Sequence, residues 1–170
     1  MDWRRKLLML VALVILVSLP VAGTASSPAE FASAKVYDAS GAQIGIATFQ
    51  QSRGGVRILV VAWGLSIGAH GIHIHTVGAC APDFGAAGSH FDPTGALHPG
   101  HAGDLGNITV SRSGFGKLVV STNKLTLSPG PISLLDADGS ALIIHAAPDD
   151  LHTHPTGNSG GRVACGVIAS

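Results

Sequence analysis

Two histidines alternate with isoleucines in Gly-Ile-His-Ile-His, which covers residues 71–75. Side chains two residues apart in a β-strand point to the same face, so His73 and His75 would place two imidazoles side by side. The intervening Ile72 and Ile74 would then enter the core. Imidazole is the commonest metal-binding side chain, so the pair predicts a chelating site. Two ordinary surface histidines are the alternative, because one His-x-His pair alone is weak evidence.

Further candidate ligands follow in an irregular, glycine-rich stretch. The segment Gly-Ser-His-Phe-Asp-Pro contains His90, and His98, His101 and Asp104 lie within seven residues of one another. Three imidazoles and one carboxylate form a nitrogen and oxygen ligand set suited to zinc. His145 ends an apolar run farther along the chain, where a hydrogen-bonded core histidine is the alternative to a metal ligand.

The histidine content stands out against the rest of the composition. The chain has 170 residues, with nine His against ten acidic residues, and only 12% of its residues are charged. Its 23 glycines and scarcity of charged helix formers favour an all-β domain over a helix bundle or coiled coil. An apolar content of 46% excludes a disordered chain, and no basic excess indicates nucleic-acid binding.

Strand-like runs bounded by turn residues must position these side chains. Short strands at roughly ten-residue spacing predict a β-sandwich or barrel. Two long irregular stretches, over 78–106 and 148–161, are predicted to be functional loops. The predicted strands cover residues 31–37, 43–50, 56–63, 71–77, 107–110, 116–121, 132–135, 141–146 and 162–168.

The first 25 residues have the pattern of a secretory signal peptide. Residues 4–6 are basic, residues 7–17 form an unbroken apolar run, and small residues at 23–25 suit signal peptidase. A retained membrane anchor is the alternative, although the apolar stretch is shorter than the ~20 residues that span a bilayer. Cleavage would leave a flexible leader over 26–32 and one domain over 33–170. We therefore expect a periplasmic or extracellular protein, tethered to the membrane if the segment is retained.

Export changes the interpretation of the two cysteines, Cys80 and Cys165. Outside the cytosol an even pair most simply forms a disulfide. It would close a loop of about 85 residues, for which chain entropy gives a stabilisation of roughly 4 kcal/mol at most. Two buried free thiols are the alternative.

Five segments occur in a specific order between about residue 33 and residue 169. They are Gly-Ile-His-Ile-His, Gly-Ser-His-Phe-Asp-Pro, Gly-Asp-Leu-Gly-Asn, Ile-Ile-His with two following aspartates, and Gly-Asn-Ser-Gly-Gly-Arg-Val-Ala-Cys-Gly-Val-Ile. Together they resemble the copper/zinc superoxide dismutase family. The resemblance implies a Greek-key β-sandwich, a flattened eight-stranded barrel with two long functional loops.

The resemblance also implies two metal-ligand sets. The implied copper ligands are His73, His75, His90 and His145. The implied zinc ligands are His90, His98, His101 and Asp104. One copper and one zinc per subunit would share His90 as a bridge.

Other roles follow from the same resemblance. Asp149 would hydrogen-bond one histidine of each metal site and fix both rings. Arg162 would attract and orient the anionic substrate, which makes it the second implied catalytic residue beside His90. The family disulfide matches the cysteine pair, and His70 matches a histidine that supports the fold.

The implied activity is dismutation of superoxide to dioxygen and hydrogen peroxide, which would protect the extracytoplasmic space. Copper can cycle between Cu(II) and Cu(I), whereas zinc has no redox chemistry. The expected partner is this small-molecule substrate. We expect no nucleic-acid partner and, after signal cleavage, no membrane partner. A homodimer is one possible assembly of the chain. The main alternative is a non-catalytic copper/zinc-binding domain of the same fold. A zinc hydrolase lacks its usual glutamate base, because the one Glu is Glu30.

Three departures from the family pattern matter. Two residues separate His98 from His101, so the zinc loop is abbreviated. The loop over 148–161 is short and lacks the residues that steer substrate in many relatives, so guidance would rest on Arg162. The ten positions from Cys80 to His90 are typical of bacterial members. The two histidines of the second loop, at 152 and 154, match no ligand.

Overall fold

The computed structural model describes residues 30–170. The predicted signal peptide over 1–25 and most of the predicted leader lie outside the described residues. The first strand begins at Phe31, so the leader does not extend to residue 32 as predicted. The reason is that Phe31 and Ala32 already pair with the second strand, and the Ala32 side chain is buried in the core.

Eight antiparallel strands close into a barrel, which confirms the predicted all-β fold. They are β1 (Phe31–Asp38), β2 (Gln43–Ser52), β3 (Gly55–Ala62), β4 (Gly68–His75), β5 (Asp104–Val110), β6 (Gly116–Thr122), β7 (Ala141–His145) and β8 (Arg162–Val167). Around the barrel the order is β1-β2-β3-β6-β5-β4-β7-β8, and β8 pairs with β1. The pairing of β3 with β6 and of β4 with β7 gives Greek-key connections.

Alternating apolar residues fill the barrel. In β3, Val56, Ile58, Val60 and Ala62 are buried, and the residues between them are more exposed. Full burial of a side chain such as valine or isoleucine contributes about 1.5–3 kcal/mol. A shift of one residue would exchange the two faces, so this pattern fixes the strand register. Within residues 30–170, no helix combines the length and hydropathy of a membrane span.

One predicted strand is wrong. Residues 132–135 lie in the connection between β6 and β7, where Ser133 forms a single isolated bridge to Thr126. Leu134 nevertheless packs into the core together with Leu125 and Leu127. A short apolar run thus marked a buried connection, because burial alone does not distinguish a strand from other buried backbone.

Two long loops cover the side of β4 that faces away from the core. The first loop (76–103) folds back along β4: the Phe91 N–H donates to Ile74, and the Ile74 N–H donates to Gly103. It ends before the predicted boundary at 106 because β5 begins at Asp104. The second loop (146–161) meets β4 where the Gly71 N–H donates to the Ala147 carbonyl. As a result, β4 is buried on both sides.

Candidate metal centre

His73 and His75 lie on the loop-covered side of β4, at 0% and 1% exposure. Ile72 and Ile74 point the other way, into the core, as their alternation predicted. A polar ring buried to this extent needs a partner for each nitrogen or a bound ion. The two loops therefore turn an outward-facing pair of histidines into an interior site.

The first cluster consists of four buried histidines whose candidate ligand nitrogens all lie within 4.8 Å of one another: His73, His75, His90 and His145. His145 ends β7, which pairs with β4 and so brings the two strands' rings together. His90 arrives from the first loop through an isolated bridge to His75. The rings of His73 and His90 stack with their centroids 4.0 Å apart.

A second cluster shares His90 and also satisfies the 4.8 Å limit: His90, His98, His101 and Asp104. The Nδ1 atom of His90 lies 2.8 Å from Oδ1 of Asp104. The Nδ1 atoms of His98 and His101 each lie 3.1 Å from Oδ2 of the same carboxylate. The short turn between His98 and His101 thus brings both rings to one carboxylate.

Each histidine of the first cluster that lies on a strand has one ring nitrogen held by the protein. His73 Nε2 donates to Oδ2 of Asp149 at 2.8 Å, and His75 Nδ1 donates to the Gly88 carbonyl at 2.9 Å. His145 Nδ1 donates to the Gly160 carbonyl at 3.1 Å. These bonds fix the tautomer and orientation of each ring.

The other ring nitrogens test whether the residues fit metals. Among the described residues, six buried side-chain nitrogen or oxygen atoms have no hydrogen-bond partner, and five belong to the clusters: His73 Nδ1, His75 Nε2, His90 Nε2, His98 Nδ1 and His145 Nε2. His98 Nδ1 is close to the Asp104 carboxylate but does not form a hydrogen bond with it. Leaving a buried polar atom unpaired costs about 1–3 kcal/mol. Coordination of a metal would satisfy all five atoms, so the residues fit a copper and a zinc ion.

Burial keeps three rings of the first cluster, those of His73, His75 and His145, in their ligating form. It lowers the pKa of His73 from the ordinary 6.5 to about 4 and that of His75 to about 2. Burial also lowers the pKa of His145. A metal binds neutral imidazole, so these rings need not lose a proton to bind one at neutral pH.

Asp149 connects the two clusters from the second loop. Its Oδ2 accepts from His73, and its Oδ1 accepts from His98 Nε2 at 2.9 Å. Burial raises the pKa of Asp149, but the hydrogen bonds from His73, the Leu151 N–H and His98 outweigh it and hold the pKa below 3.8. Burial likewise raises the pKa of Asp104, but opposing effects outweigh it and lower the pKa overall. The hydrogen bond from His90 is the largest of these opposing effects.

Asn107 is a contributor that sequence reasoning missed. Its side-chain amide pairs with the backbone of Asp149, which lies 42 residues farther along the chain. The only available signal was a side-chain amide in β5, a strand that also contains the polar residues Asp104 and Thr109. That signal gives no indication of the distant partner.

Arg162 lies at the start of β8, where its guanidinium donates to the carbonyls of Phe84 and Gly88, both at 2.6 Å. It lines a pocket of about 610 Å³ together with His90 and His101. Burial lowers the pKa of Arg162 from 12.5, although Asp83 opposes this shift, and the group stays protonated at neutral pH. The arrangement presents one oriented cation beside both clusters.

Cys80 and Cys165 form a disulfide, with their Cα atoms 5.8 Å apart, as predicted. Cys165 is buried in β8, and Cys80 belongs to the first loop. The same loop provides the two carbonyls that hold Arg162. The first loop is therefore joined to β8 both by the disulfide and by the hydrogen bonds of Arg162.

The remaining histidines differ in their surroundings. His70 is buried, and its Nδ1 donates to the His145 carbonyl at 2.7 Å, which supports the end of β7. His152 is exposed and bonds within its own loop, to Asp150. His154 instead accepts, through Nδ1, the backbone N–H of His98 at 3.1 Å.

Known proteins match the chain over most of its length. The sequence profile of the family described as copper/zinc superoxide dismutase (SODC) matches residues 43–168. A Superoxide dismutase (Cu-Zn) of Deinococcus radiodurans is 43% identical over 154 residues, which covers 79% of this chain and 82% of that protein. Another, of Caulobacter vibrioides, is 38% identical over 147 residues, with 81% and 84% covered.

A solved structure agrees with these matches. The crystal structure of a double mutant of a SOD-like protein from Bacillus subtilis has a TM-score of 0.77 and 35% sequence identity to this chain. The similarity covers 84% of this chain and 100% of that one. With the sequence profile and both relatives, this match confirms the predicted resemblance: the chain belongs to the copper/zinc superoxide dismutase family.

Proposed function

We propose that this chain dismutates superoxide to dioxygen and hydrogen peroxide, with copper in the first cluster and zinc in the second. Family membership confirms the predicted superoxide dismutase activity and its two metal cofactors. The observation that carries the assignment of residues is the position of His90. Its Nδ1 belongs to the set around Asp104, and its Nε2 is left unpaired beside the other three histidines.

Copper, when bound, supplies the redox chemistry, since it can accept an electron from one superoxide and give it to the next. The chain's own residues must hold the ion, admit a small anion and provide protons. His73, His75 and His145 each use one ring nitrogen for the protein and offer the other to the ion. Their orientation is therefore set before any metal binds.

His90 is proposed as the residue that holds and delivers a proton, at Nε2. Its opposite nitrogen is fixed by the second cluster, so the ring can change partner at Nε2 without changing position. Peroxide formation consumes two protons per molecule. His90 would provide one and solvent in the pocket the other.

Arg162 is proposed to bind and orient the substrate. Superoxide carries one negative charge, and a cation in a concave pocket raises the local concentration of such an anion. Two carbonyls hold the guanidinium, so its direction toward the pocket is fixed. Exposed Lys and Glu are missing from the second loop, so the substrate association rate should depend less on ionic strength than in relatives that carry them.

The second cluster is proposed to act by position and charge. Zinc has no redox chemistry, so its contribution would be to hold the first loop and, through its charge, to help His90 release the proton that it carries at Nε2. Because its two oxygens bind one histidine of each cluster, Asp149 would hold the two clusters in a fixed orientation relative to each other.

We further propose that the chain works outside the cytosol, in the periplasm or extracellular space. The disulfide supports this location, since such bonds persist in oxidising compartments. Every residue of both clusters comes from one chain, so the proposed activity needs no second subunit. Whether the chain forms the predicted homodimer is independent of this proposal, and a measurement of its molecular mass in solution would decide it.

Metal analysis combined with an activity assay tests the proposal. We expect about one copper and one zinc per chain and superoxide removal that depends on copper. His145→Ala should lose copper and activity, whereas His152→Ala, with an exposed ring outside both clusters, should keep both. Full activity in copper-free protein would refute the mechanism, and a copper-only protein would refute the proposed zinc ligands.

A further inference from the structure

His154 joins the two long loops at a residue of the second cluster. Its Nδ1 accepts the backbone N–H of His98 at 3.1 Å, across 56 positions of sequence. Its ring centroid lies 5.6 Å from that of His101, and the residue lines the same pocket as Arg162. His154 is therefore in contact with the turn that bears both His98 and His101.

The turn between these two histidines offers few other attachments. Pro99 has no N–H to donate, and the Gly100 N–H bonds within the turn, to the Leu97 carbonyl at 2.6 Å. Lys124 Nζ donates to the Gly100 carbonyl, but from an exposed side chain. The His154 ring is the one partner that the described residues give the His98 N–H.

His98 is thus held by the second loop at two points. Asp149 binds its ring at Nε2, and His154 binds its backbone. One contact fixes the direction of the ring, and the other fixes the backbone from which the ring projects. Together they keep Nδ1 of His98 beside the Asp104 carboxylate, where a ligand nitrogen is required.

We propose that His154 is a positioning residue for zinc, which compensates for the shortened turn by fastening His98 to the second loop. This inference rests on the proposed zinc ligands. Groups that orient a metal ligand through hydrogen bonds typically change metal affinity 10- to 100-fold when they are removed. His154 would act by accepting one hydrogen bond at Nδ1, and it need not contact the metal.

The acceptor position suggests a discriminating set of variants. In asparagine, Oδ1 is attached to Cγ as Nδ1 is in histidine, so His154→Asn can keep the bond to His98. In glutamine the oxygen lies one bond farther out, so His154→Gln keeps polarity but misplaces the acceptor. His154→Ala removes it, and His152→Ala is the matched control in the same loop.

The test is the rate at which the copper- and zinc-loaded protein releases zinc to an excess of chelator. We expect His154→Ala and His154→Gln to release zinc about tenfold faster than wild type, with copper content unchanged. His154→Asn and His152→Ala should release it at nearly the wild-type rate. Cobalt(II) placed in the zinc site gives a second readout, since its visible spectrum should change in His154→Ala and return in His154→Asn.

Each outcome decides between distinct claims. Zinc release at the wild-type rate from His154→Ala, or equal rates for the Asn and Gln variants, would overturn the inference and leave the zinc ligands intact. A wild-type protein that binds no zinc would overturn the proposed ligands and the inference together. Faster release from His152→Ala as well would mean that the loop, and not the acceptor at residue 154, controls zinc.

Discussion

Asn107 binds both backbone polar groups of Asp149: its Nδ2 donates to the Asp149 carbonyl at 2.9 Å, and its Oδ1 accepts the Asp149 N–H at 2.7 Å. The side chain thus acts like a neighbouring strand for a single residue of the second loop. Because Asp149 holds one histidine of each cluster, Asn107 fixes both clusters indirectly.

Replacement of Asn107 by alanine should therefore destabilise the protein and weaken zinc binding. Loss of two hydrogen bonds to partly buried backbone groups costs about 1–3 kcal/mol for each unpaired group. Urea unfolding of the metal-free protein measures the loss, and chelator competition measures zinc affinity. Asn123→Ala, at an exposed position in the β6–β7 connection, is the control and should change neither.

Arg162→Ala should lower the rate of superoxide removal by about tenfold or more while copper and zinc content stay unchanged. A focused cation raises the association rate of an anion by roughly 10- to 10³-fold, and this cation would be lost. Arg162→Lys should recover part of the rate, since one ammonium cannot reproduce the guanidinium held by two carbonyls. Arg112→Ala removes an exposed cation elsewhere, and an equal loss there would argue against a specific role for Arg162.

The metal-free protein should lose stability as the pH falls below about 6.5. The unfolded chain takes up protons on His73 and His75 near 6.5, whereas the folded protein resists them until about pH 4 and about pH 2. The unfolded state then binds more protons, so the free energy of unfolding decreases as the pH falls. Above pH 7.5 these groups should have no effect.

Urea unfolding between pH 7.5 and 5 measures this dependence. The carboxylates of Asp104 and Asp149 remain ionised over this range, because their pKa values lie below 3.8. His75→Gln should flatten the profile, and His152→Gln should leave it unchanged. A wild-type stability that is constant over the range would contradict the prediction.

Gly157→Ala should disturb the bridge at Asp149. Gly157 has a φ of +62°, and a Cβ there would collide with Oδ1 of Asp149 and lie 2.8 Å from His98 Nε2. We expect lower stability together with reduced zinc content. Gly41→Ala is the matched control, since Gly41 has a φ of +84° and open space around it.

The control separates backbone strain from the clash. A left-handed backbone conformation costs a non-glycine residue about 1–2 kcal/mol, and this cost applies to both variants. Only Gly157→Ala should also lose zinc. Equal metal content in the two variants would mean that the close approach to Asp149 is tolerated.

The sequence predicted features whose signal is local. The alternation of His73 and His75 with two isoleucines was enough to place one pair in the core and the other outside it. Residues 132–135 form a short apolar run like those of the true strands. Whether such a run pairs into a sheet depends on neighbours that are distant in sequence. The strand prediction failed there for that reason.

The parts of the site that escaped prediction are contacts between distant segments. The contact between Asn107 and Asp149 spans 42 positions, and that between His98 and His154 spans 56. Each joins a side chain to backbone, and backbone carries no residue type that a motif could reveal. Such contacts become visible only when the loops are seen packed on β4.

The pairing of β4 with β7 joins His73 to His145, from opposite halves of the barrel domain. A chain that is still emerging from a ribosome or a membrane channel holds at most three of the four nitrogens in one place. The full set exists only after the seventh strand has joined the sheet. Copper bound by all four nitrogens would therefore mark a molecule in which β7 has already paired with β4.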